Sequence, residues 1–582
     1  MEEKKHNDIT GIDVLRHSTA HIMAAAVREL YPETKIAIGP AIDDGFYYDF
    51  SRSAPFTTED LEKIEVRMRE IIKRDEPFVR FEKTREEARE YFLKSGEKYK
   101  VELLDAIPPG EKISFYSNGS FTDLCRGPHI KSAGEIKHFK LLSVAGAYWR
   151  GDERREQLQR IYGTAFPTEK ELNDYLERIE EAKKRDHRKL GKEMELFSVS
   201  DNVGPGLILW HPRGALIRYL IETFWREEHL KNGYDFIYTP HIGRANLWKT
   251  SGHLEFYKDA MYSPMKIDDN EYYIKPMNCP FHIEIYRSRL YSYRDLPLRW
   301  AELGTVYRYE KSGVLAGLFR VRGFTQDDAH IICTPSQIED EIREVLRFSL
   351  NMWKTFGFEE IKAYLATRPE GAIGPIERWE KATSALKSAV EAEGIECSID
   401  EGGGAFYGPK IDLKVKDAIG RQWQTTTIQF DFNNPERFDM EFVAEDGTRQ
   451  RPYMVHRALL GSLERFFGIL VEHYGGKFPL WLAPVQVAVM NITDAQKDYA
   501  ISVADFLKRE GFRAEADLRN EKIGHKIREA TIKGIPYMAI AGDKEKSAST
   551  ISVRARSGEN LGEVTRENFV KDILLPLLKN RK

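Results

Sequence analysis

The sequence predicts a multidomain α+β protein built from three blocks that differ in their secondary-structure patterns. Its 582 residues are too many for one hydrophobic core, so several domains are expected. The central block has long alternating strands separated by a short loop, which is typical of an antiparallel sheet. The last block alternates apolar strands with amphipathic helices, which is typical of a small α/β domain.

Two breaks in the pattern predict the domain boundaries. Residues 168–192 form a charged, glycine-poor run with helical periodicity, which predicts an exposed connecting helix. Gly475 and Gly476, followed by Pro479 and Pro484, form a cluster of turn signals. The expected parts are an N-terminal domain over 1–167, a linker helix over 168–192, a central domain over 193–479 and a C-terminal domain over 480–582.

The composition excludes several classes of protein. With 41% hydrophobic and 31% charged residues it is that of an ordinary globular protein. The N-terminus lacks the apolar core of a signal peptide, and no run approaches the roughly 18 apolar residues of a membrane span. Four widely spaced cysteines suit a reducing compartment, so we expect a cytoplasmic protein without membrane association. The net charge of −4 leaves nucleic-acid binding open, because a basic face can lie on an acidic body.

Charged side chains concentrate near the turn of a predicted hairpin in the central block. Arg308 and Glu310 are expected to project from one strand, and Arg320 and Arg322 from its neighbour, each pair on one face. Two arginines directed into one site suit an anion with several oxygens, because guanidinium binds phosphate through two hydrogen bonds. An exposed face with Arg–Glu ion pairs is the alternative interpretation.

Four segments follow one another in a recognisable order. They are GYDFIYTPHI at 233–242, KPMNC at 275–279, YRYE at 307–310 with FRVRGFTQDDAH at 319–330, and GSLERFFGILVEHYGG at 461–476. The first, third and fourth resemble motifs 1, 2 and 3 of the class II aminoacyl-tRNA synthetases, in the form of bacterial threonyl-tRNA synthetases. The resemblance covers essentially the whole chain. It implies an N-terminal α+β editing domain, an antiparallel-sheet catalytic domain with flanking helices, and a C-terminal α/β anticodon-binding domain.

The resemblance implies an enzyme that activates L-threonine with ATP and transfers it to the 3′-end of tRNA(Thr). Adenylate formation needs positioning and charge neutralisation more than a protein nucleophile. Arg308 is implied to hold the α-phosphate and the amino-acid carboxylate, and Arg320 and Arg465 the γ-phosphate. Phe324 is implied to stack on adenine and Glu310 to contact its edge. Mg²⁺ is expected with ATP, and motif 1 implies a homodimer.

The resemblance also implies one Zn²⁺ per chain, held by Cys279, His330 and His456. Taken singly, each of these residues is more typical of a core or a polar network. One thiolate and two imidazoles leave a tetrahedral ion with an open position, and the amino and hydroxyl groups of threonine can bind there together by expanding the ion to five-coordinate. Valine has no hydroxyl, and a site of this kind rejects the deficient analogue by about 10⁴–10⁵-fold. Other residues implied around the bound amino acid or in its transfer are Gln326, Asp328, Tyr407, Lys410, Gln429 and His253.

Serine poses a second selectivity problem, because it lacks only a methyl group, worth about 1–3 kcal/mol. HSTAH places His17 and His21 four residues apart on a predicted helix, and CRGPH places Cys125 and His129 at the same spacing across a turn. From the residues alone, this cluster is typical of a zinc site. The resemblance implies instead a metal-free site that hydrolyses seryl-tRNA(Thr). Its implied helpers are Tyr48, Lys100 and Asp123.

Basic residues recur in the last block, as is usual for a solvated face. They are Lys522, Lys526, Arg528, Arg554 and Arg556. The resemblance favours an anticodon-binding surface, because an open single-stranded loop exposes the edges of its bases. The residues implied to contact anticodon bases are Asn520, Glu545 and Arg554.

The sequence departs from the bacterial pattern in three places. A ubiquitin-like domain usually precedes the editing domain, and HSTAH begins here at residue 17, so we expect that domain to be absent. Thr425-Thr426 stands where Cys-Gly is common, and Phe281 where Gly is common, and both changes are expected near the pocket. The alternatives to a threonine enzyme are a synthetase-like RNA-binding protein without charging activity and a class II synthetase for proline or serine.

Overall fold

The computed structural model describes residues 10–152, 154–405, 407–579 and 581, and the chain divides into two compact units between Glu180 and Glu181. The predicted linker helix over 168–192 is wrong in one respect, because the segment forms two helices, Glu169–Arg185 and His187–Glu193. They separate at Asp186, whose carboxylate accepts the Arg188 N–H at 2.8 Å and caps the second helix. Among the described helices, none combines the length and apolar character that a membrane crossing requires.

In the first unit, the helix Gly11–Leu30 packs on an antiparallel sheet. Thr10 and Asp13 cap each other's backbone N–H groups, which explains why the helix begins at Gly11. The sheet consists of Lys35–Ile36, Ala41–Ile42, Gly45–Ser51, His138–Tyr148 and Gln157–Phe166. A second sheet consists of Phe78–Lys83, Ile113–Asn118 and Phe121–Leu124. The other helices are Thr58–Arg74, Arg85–Lys94 and Lys98–Asp105.

In the second unit, a large sheet forms the centre, and its middle strands are antiparallel as predicted. In spatial order its strands are Asp235–Phe236, Leu298–Tyr307, Gly323–Cys333, Tyr453–Ala458, Gln422–Asp431, Lys410–Lys416, Ile361–Ala366 and Cys397–Asp400. The helices that share a buried core with one face of this sheet are Pro212–Lys231, Ile338–Thr355, Ile376–Ala392 and Leu463–Tyr474. The opposite face is therefore left for a binding site.

Shorter elements surround that opposite face and the edges of the sheet. The short strands are Phe197–Ser198, Leu209–Trp210, Ile242–Arg244, Met265–Ile267, Asn270–Ile274, Tyr291–Ser292, Phe442–Val443 and Arg449–Gln450. The short helices are Ala245–Thr250, His253–Phe256, Cys279–Tyr286 and Asn434–Arg437.

The predicted hairpin exists, but its strands are shorter than expected. Strands Leu298–Tyr307 and Gly323–Cys333 pair from Leu298 opposite Ile332 to Tyr307 opposite Gly323, and residues 308–322 form the connecting loop between them. The residues expected on the strands that lie in the connecting loop instead are Arg308, Glu310, Arg320 and Arg322. One further backbone bond, from the Arg308 N–H to the Arg322 carbonyl at 2.9 Å, continues the ladder, but the Arg322 N–H turns to the carbonyl oxygen of Gly206, at 2.7 Å. Strand alternation therefore does not orient these four side chains.

The end of the second unit has a mixed sheet, as expected for an α/β domain. In spatial order its strands are Ala514–Asp517, Val487–Asn491, Tyr537–Ala541, Thr550–Ala555 and Asn560–Thr565, and the first three are parallel. The helices are Lys497–Arg509, Ile523–Ile532, Asp543–Ala548, Arg566–Asn568 and Leu575–Lys579.

Candidate functional site

The pairing register of the central sheet brings four polar side chains into one row. His330 lies directly opposite His456, His456 opposite Gln429, and Gln429 opposite Lys410. Side chains of directly opposed residues lie on the same face of a sheet, with Cβ atoms about 4.5–5.5 Å apart. Four residues from separate segments therefore share the face that the large helices leave open.

Cys279 joins this row at the first residue of the helix Cys279–Tyr286. Its Sγ and one ring nitrogen from each of His330 and His456 lie within 4.8 Å of one another. The two facing ring nitrogens, His330 Nε2 and His456 Nδ1, are 2.9 Å apart. The structure thus brings together three ligand atoms of the types that bind zinc.

The remaining nitrogen of each imidazole is held by a partner that sequence reasoning missed. His456 Nε2 lies 2.7 Å from Asp431, and His330 Nδ1 lies 2.7 Å from His282, whose Nε2 lies 3.1 Å from Glu302. A carboxylate only accepts, so His456 and His282 donate to these acids and His282 accepts from His330. When His456 is neutral, the lone pairs of His330 Nε2 and His456 Nδ1 face each other. That arrangement fits a shared cation, because outer carboxylates orient metal-binding histidines in this way.

The protonation of the cluster points in the same direction. Burial opposes a charge on His456, but hydrogen bonds to Asp431 and Cys279 outweigh it and raise its pKa to about 10. Burial lowers the pKa of His330 and raises that of the Cys279 thiol. The pocket thus favours one bound positive charge, and a divalent cation that displaces protons from these ligands can supply it.

Two arginines of the central domain, Arg308 and Arg465, have no carboxylate partner among the described residues. The guanidinium of Arg465 has no hydrogen bond or ion pair among the described residues, and burial lowers its pKa. Arg308 donates from Nε to the Pro276 carbonyl at 3.3 Å, and its guanidinium lies 5.1 Å from the ring centroid of Phe324. Both residues are half-buried, and cations without counter-charges attract anions.

The other three charged residues that were predicted on the hairpin strands contact one another. Arg320 forms an ion pair of 3.0 Å with Glu310, and Arg322 donates from Nε to the Glu310 carbonyl at 2.8 Å. The alternative interpretation of Arg–Glu pairing therefore describes Arg320 in this structure, but not Arg308 or Arg465.

The helix that carries Arg465 is docked on the neighbouring strand. Gln326 forms an isolated β-bridge with Ser462, and the Asp327 N–H donates to the Gly461 carbonyl at 2.9 Å. The Ser462 hydroxyl caps the helix by accepting the Arg465 N–H at 3.1 Å. Motif 3 therefore begins against the strand of motif 2.

The remaining predicted pocket residues are mostly buried and polar. Asp328 accepts from Asn278 at 2.9 Å, and burial raises its pKa. Gln326 has a buried Oε1 without a hydrogen-bond partner among the described residues, and an orphaned buried oxygen suits a ligand donor. Gln429 donates to the Gly408 carbonyl at 3.3 Å, and the Tyr407 ring lies 5.7 Å from that of His456.

Two further predicted residues each contact a side chain two positions away in the chain. Lys410 ion-pairs with Asp412 at 2.6 Å. His253 follows Gly252, and its ring nitrogens contact the Ser251 hydroxyl at 2.8 Å and the Met277 sulfur at 3.1 Å. Burial and the charge of Arg308 lower the His253 pKa to about 4, so its imidazole is neutral at pH 7.

Thr426 corrects one expectation about the pocket. Its hydroxyl donates to the Leu459 carbonyl at 2.6 Å and accepts from the Trp353 indole at 2.9 Å, on the helix-covered face. The side chain therefore points away from the open face. Phe281 contacts Trp248 and Gly243 beside the cluster instead.

A second cluster lies in the first unit, beside a cavity of 620 Å³. The Cys125 Sγ is 3.3 Å from His17 Nε2 and 3.2 Å from His129 Nε2. His21 is not part of this ligand-type group: its ring packs against Phe121 and His129, and its Nε2 has no hydrogen bond among the described residues. Burial raises the Cys125 pKa to about 12 and lowers the His21 pKa to about 3, so both side chains are uncharged.

An ionic network reaches the same cavity from another side. Lys100 ion-pairs with Asp123 at 2.7 Å and donates to the Tyr48 hydroxyl at 3.0 Å, and Tyr48 donates to Asp123. All three are buried and line the cavity together with His17 and Cys125. The cavity therefore combines an apolar wall with a buried charge pair and a thiol.

The residues predicted to contact the anticodon lie along the C-terminal sheet without mutual contact among the described residues. Asn520 follows strand Ala514–Asp517, and Glu545 lies in the helix after strand Tyr537–Ala541, beyond the carboxyl ends of two parallel strands. Arg554 is exposed but lies opposite Met538, near the other end of the sheet.

Two basic residues of this block are structural and are not free to bind RNA. Buried Lys526 donates to the Asn491 carbonyl, the Asn491 amide oxygen and the Asp517 carbonyl at 2.9–3.1 Å. Arg556 donates to backbone carbonyls of Lys477, Phe478 and Gly534. The sequence predicts both as exposed basic residues, because sequence does not reveal burial of a long side chain.

Comparisons with known proteins agree with this organisation. Residues 113–162 match the threonyl and alanyl tRNA synthetase second additional domain, residues 262–474 the tRNA synthetase class II core domain (G, H, P, S and T), and residues 486–574 the anticodon binding domain. The chain is 56% identical to a threonine–tRNA ligase of Magnetococcus marinus, over 97% of this chain and 87% of that protein. It is 55% identical to one of Borreliella afzelii, over 98% and 99%. A solved threonyl-tRNA synthetase RNA-binding domain of Cryptosporidium parvum Iowa II covers 66% of this chain and 97% of its own, with a TM-score of 0.64 and 39% identity.

Proposed function

The chain belongs to the threonine–tRNA ligase family, and from that premise we propose that it charges tRNA(Thr) with L-threonine and hydrolyses seryl-tRNA(Thr) at a second site. The observation that carries the proposal is the cluster of Cys279, His330 and His456 on the sheet face that also carries the row to Gln429 and Lys410. The three-ligand set together with the N-terminal HSTAH cluster disfavours a proline or serine enzyme. A synthetase-like RNA-binding protein without charging activity is disfavoured, because Arg308 and Arg465 are both present and lack carboxylate partners.

We assign ATP and threonine binding to the open face of the central sheet. Arg308 neutralises the α-phosphate and the threonine carboxylate, and Arg465 the γ-phosphate, because both guanidinium groups lack a carboxylate partner. Arg320 exchanges Glu310 for phosphate, which frees Glu310 for the adenine edge. Phe324 stacks on adenine once Arg308 turns to the phosphates. Mg²⁺ accompanies ATP, as for the class II synthetases.

We propose that Cys279, His330 and His456 hold one Zn²⁺. When bound, the ion offers an open coordination position to the amino and hydroxyl groups of threonine. Asp328 lies 4.0 Å from His330 Nε2 and accepts the substrate hydroxyl proton in a hydrogen bond. Gln326, Tyr407, Lys410 and Gln429 orient the amino acid or its adenylate, and His253, neutral at pH 7, accepts a proton during transfer to the tRNA. Valine is rejected because it leaves a polar site unsatisfied.

Asp431→Asn is expected to lower zinc affinity by about 10–100-fold, because an outer carboxylate orients His456 and raises its basicity. The amide keeps the size of the side chain but loses the full negative charge. Zinc affinity is measured by competition with a chromogenic chelator. Asp439→Asn is the matched control, since Asp439 is exposed and its positive φ of 52° is tolerated by asparagine. Equal zinc affinity in both variants would argue against a role for Asp431.

The N-terminal cavity is proposed as the hydrolytic site. His17, Cys125 and His129 orient the ester and a water molecule through neutral polar atoms, without a bound metal. His21 packs beside His129 and limits the room for the side chain of the bound aminoacyl group. The buried pair of Lys100 and Asp123, with Tyr48, holds the serine hydroxyl or the tRNA terminus.

The remaining parts of the proposal concern partners and location. Asn520, Glu545 and Arg554 contact anticodon bases of tRNA(Thr). Exposure of Tyr238 and Ile242 in motif 1, at 76% and 42%, supports a homodimer through this segment. The four free cysteines support a cytoplasmic location.

Threonine-dependent ATP–pyrophosphate exchange tests the proposed function. Threonine and serine are expected to support exchange, and valine is expected to be slower by about 10⁴-fold or more. The readout is the rate of labelled ATP formation at equal amino-acid concentrations. Exchange with proline but not with threonine would favour another class II synthetase. Binding of tRNA without any exchange would favour the non-catalytic alternative.

A further inference from the structure

We infer that His187 is a positioning residue for ATP binding. Its side chain holds the connecting loop in place and joins this loop to the motif 3 helix through Glu472. The inference rests on the proposed function, because the connecting loop carries Arg308 and Arg320. His187 is the first residue of the helix His187–Glu193, in the segment that the sequence predicts only as a linker.

One edge of the His187 ring contacts the tip of the connecting loop. The Leu318 N–H donates to His187 Nε2 at 3.0 Å, and the Phe319 ring lies 4.1 Å from the imidazole. Gly317 has a φ of +53°, and a Cβ there would lie 2.2 Å from His187 Nε2. The loop therefore packs directly on the imidazole, and only glycine permits that approach.

The other edge of the ring is held by the motif 3 helix. Glu472 accepts from the His187 backbone N–H at 3.0 Å and from Nδ1 at 2.6 Å, and both side chains are buried. A carboxylate only accepts, so Nδ1 carries the hydrogen and Nε2 keeps the lone pair that receives the Leu318 N–H. Glu472 thus selects the tautomer that binds the loop.

The three polar groups at this point are Asp186, His187 and Glu472, and their spacing resembles that of metal ligands. Arginines already neutralise both acids, because Arg188 pairs with Asp186 at 2.5 Å and Arg421 pairs with Glu472 at 2.7 Å. The backbone of Leu318 occupies the free nitrogen of the histidine. The arrangement is therefore a docking contact and not a cation site.

The docked turn leads directly to Arg320. The Phe319 N–H donates to the Ala316 carbonyl at 2.8 Å, and the Ala316 N–H donates to the Arg320 carbonyl at 3.1 Å. Phe319 also lies against Gly468 of the motif 3 helix, where a Cβ would come within 2.9 Å of its ring. Arg320 lies in the connecting loop, and Arg465 lies in the motif 3 helix. The contact of Phe319 with the motif 3 helix and the His187–Glu472 pair therefore hold together the two segments that carry these arginines. A loss of this contact misplaces Arg320 relative to the phosphates.

Two amide substitutions separate the two edges of the ring. His187→Gln places an acceptor near the position of Nε2 and retains the bond to the loop, whereas His187→Asn reaches only the position of Nδ1 and retains Glu472. We expect His187→Asn to raise the KM for ATP by about 10–100-fold, since small misplacements of binding groups have effects of this size. We expect the KM for threonine to change by less than about twofold, and His187→Gln to recover most of the loss. Lys189→Asn, on the exposed side of the same helix, is the control.

Pyrophosphate exchange gives the two KM values, and amide hydrogen exchange over residues 312–320 gives a readout that is independent of activity. Faster amide exchange in His187→Asn than in His187→Gln, with unchanged melting temperature, supports the inference. Equal effects of the two variants on both KM values, or unchanged amide exchange, overturn it. If the wild-type protein shows no threonine-dependent exchange, the proposed function fails, and amide exchange alone still decides whether His187 holds the loop.

Discussion

Cys279→Ser is expected to remove bound zinc and to lower kcat/KM for threonine activation by more than about 100-fold, because even an outer-shell partner is worth 10–100-fold. Serine is nearly isosteric with cysteine, but its hydroxyl is a far weaker ligand than a thiolate. Only two ligands, His330 and His456, then remain for the ion. Zinc content by elemental analysis and threonine-dependent exchange measure the two effects.

Cys397→Ser is the matched control, because Cys397 lies on the edge strand Cys397–Asp400, outside both polar clusters. It is expected to retain zinc and activity. Zinc stoichiometry adds a second result, since about one ion per chain agrees with a metal-free N-terminal cluster. Two ions in the wild type, with one lost in Cys125→Ala, would place a second metal at His17, Cys125 and His129. Full activity of Cys279→Ser without zinc would refute the role of the metal in threonine binding.

Cys125→Ala is expected to leave threonine charging unchanged and to let seryl-tRNA(Thr) accumulate. The activation site distinguishes serine from threonine by one methyl group, about 10–200-fold. With equal concentrations of the two amino acids, about one tRNA in 10–200 should therefore carry serine once hydrolysis is lost. Deacylation of preformed seryl-tRNA(Thr) and the steady-state ratio of the two products measure this.

The control for this experiment is again Cys397, as Cys397→Ala. Charging with threonine is followed in parallel, because Cys125 and Cys279 belong to different units of the chain. Equal losses of charging in Cys125→Ala and Cys279→Ser would contradict the assignment of two separate sites. Normal deacylation in Cys125→Ala would exclude Cys125 from the hydrolytic site.

The structure corrects the sequence analysis most clearly where the chain leaves regular elements. Alternation places residues of a paired strand correctly, and the antiparallel sheet and the C-terminal α/β domain were both predicted from it. Arg308 and Arg320 lie in the connecting loop, where no periodic rule applies, because Gly206 takes the hydrogen bond that a partner strand would have made.

The sequence also did not predict hydrogen-bond partners that come from distant segments of the chain. Asp431, His282 and Glu302 support the two histidines, but each is an ordinary polar residue in a strand or helix until the sheet is assembled. Lys526 and Arg556 are similar cases, since a basic residue in a basic block predicts a solvated face. Their hydrogen bonds to backbone carbonyls appear only in the folded domain.

The sequence by itself determined the family of this protein, its three-part organisation and the residue types that its chemistry requires, because motifs and periodicity are local properties of the chain. Only the tertiary structure decided which polar groups meet. His330 and His456 face each other because the strand register is set by long-range pairing. His187 contacts Leu318 of the connecting loop, 131 positions later in the chain, because its helix packs against that loop. A charge or lone pair gains its role from the partners within hydrogen-bond distance, and those partners are chosen by folding.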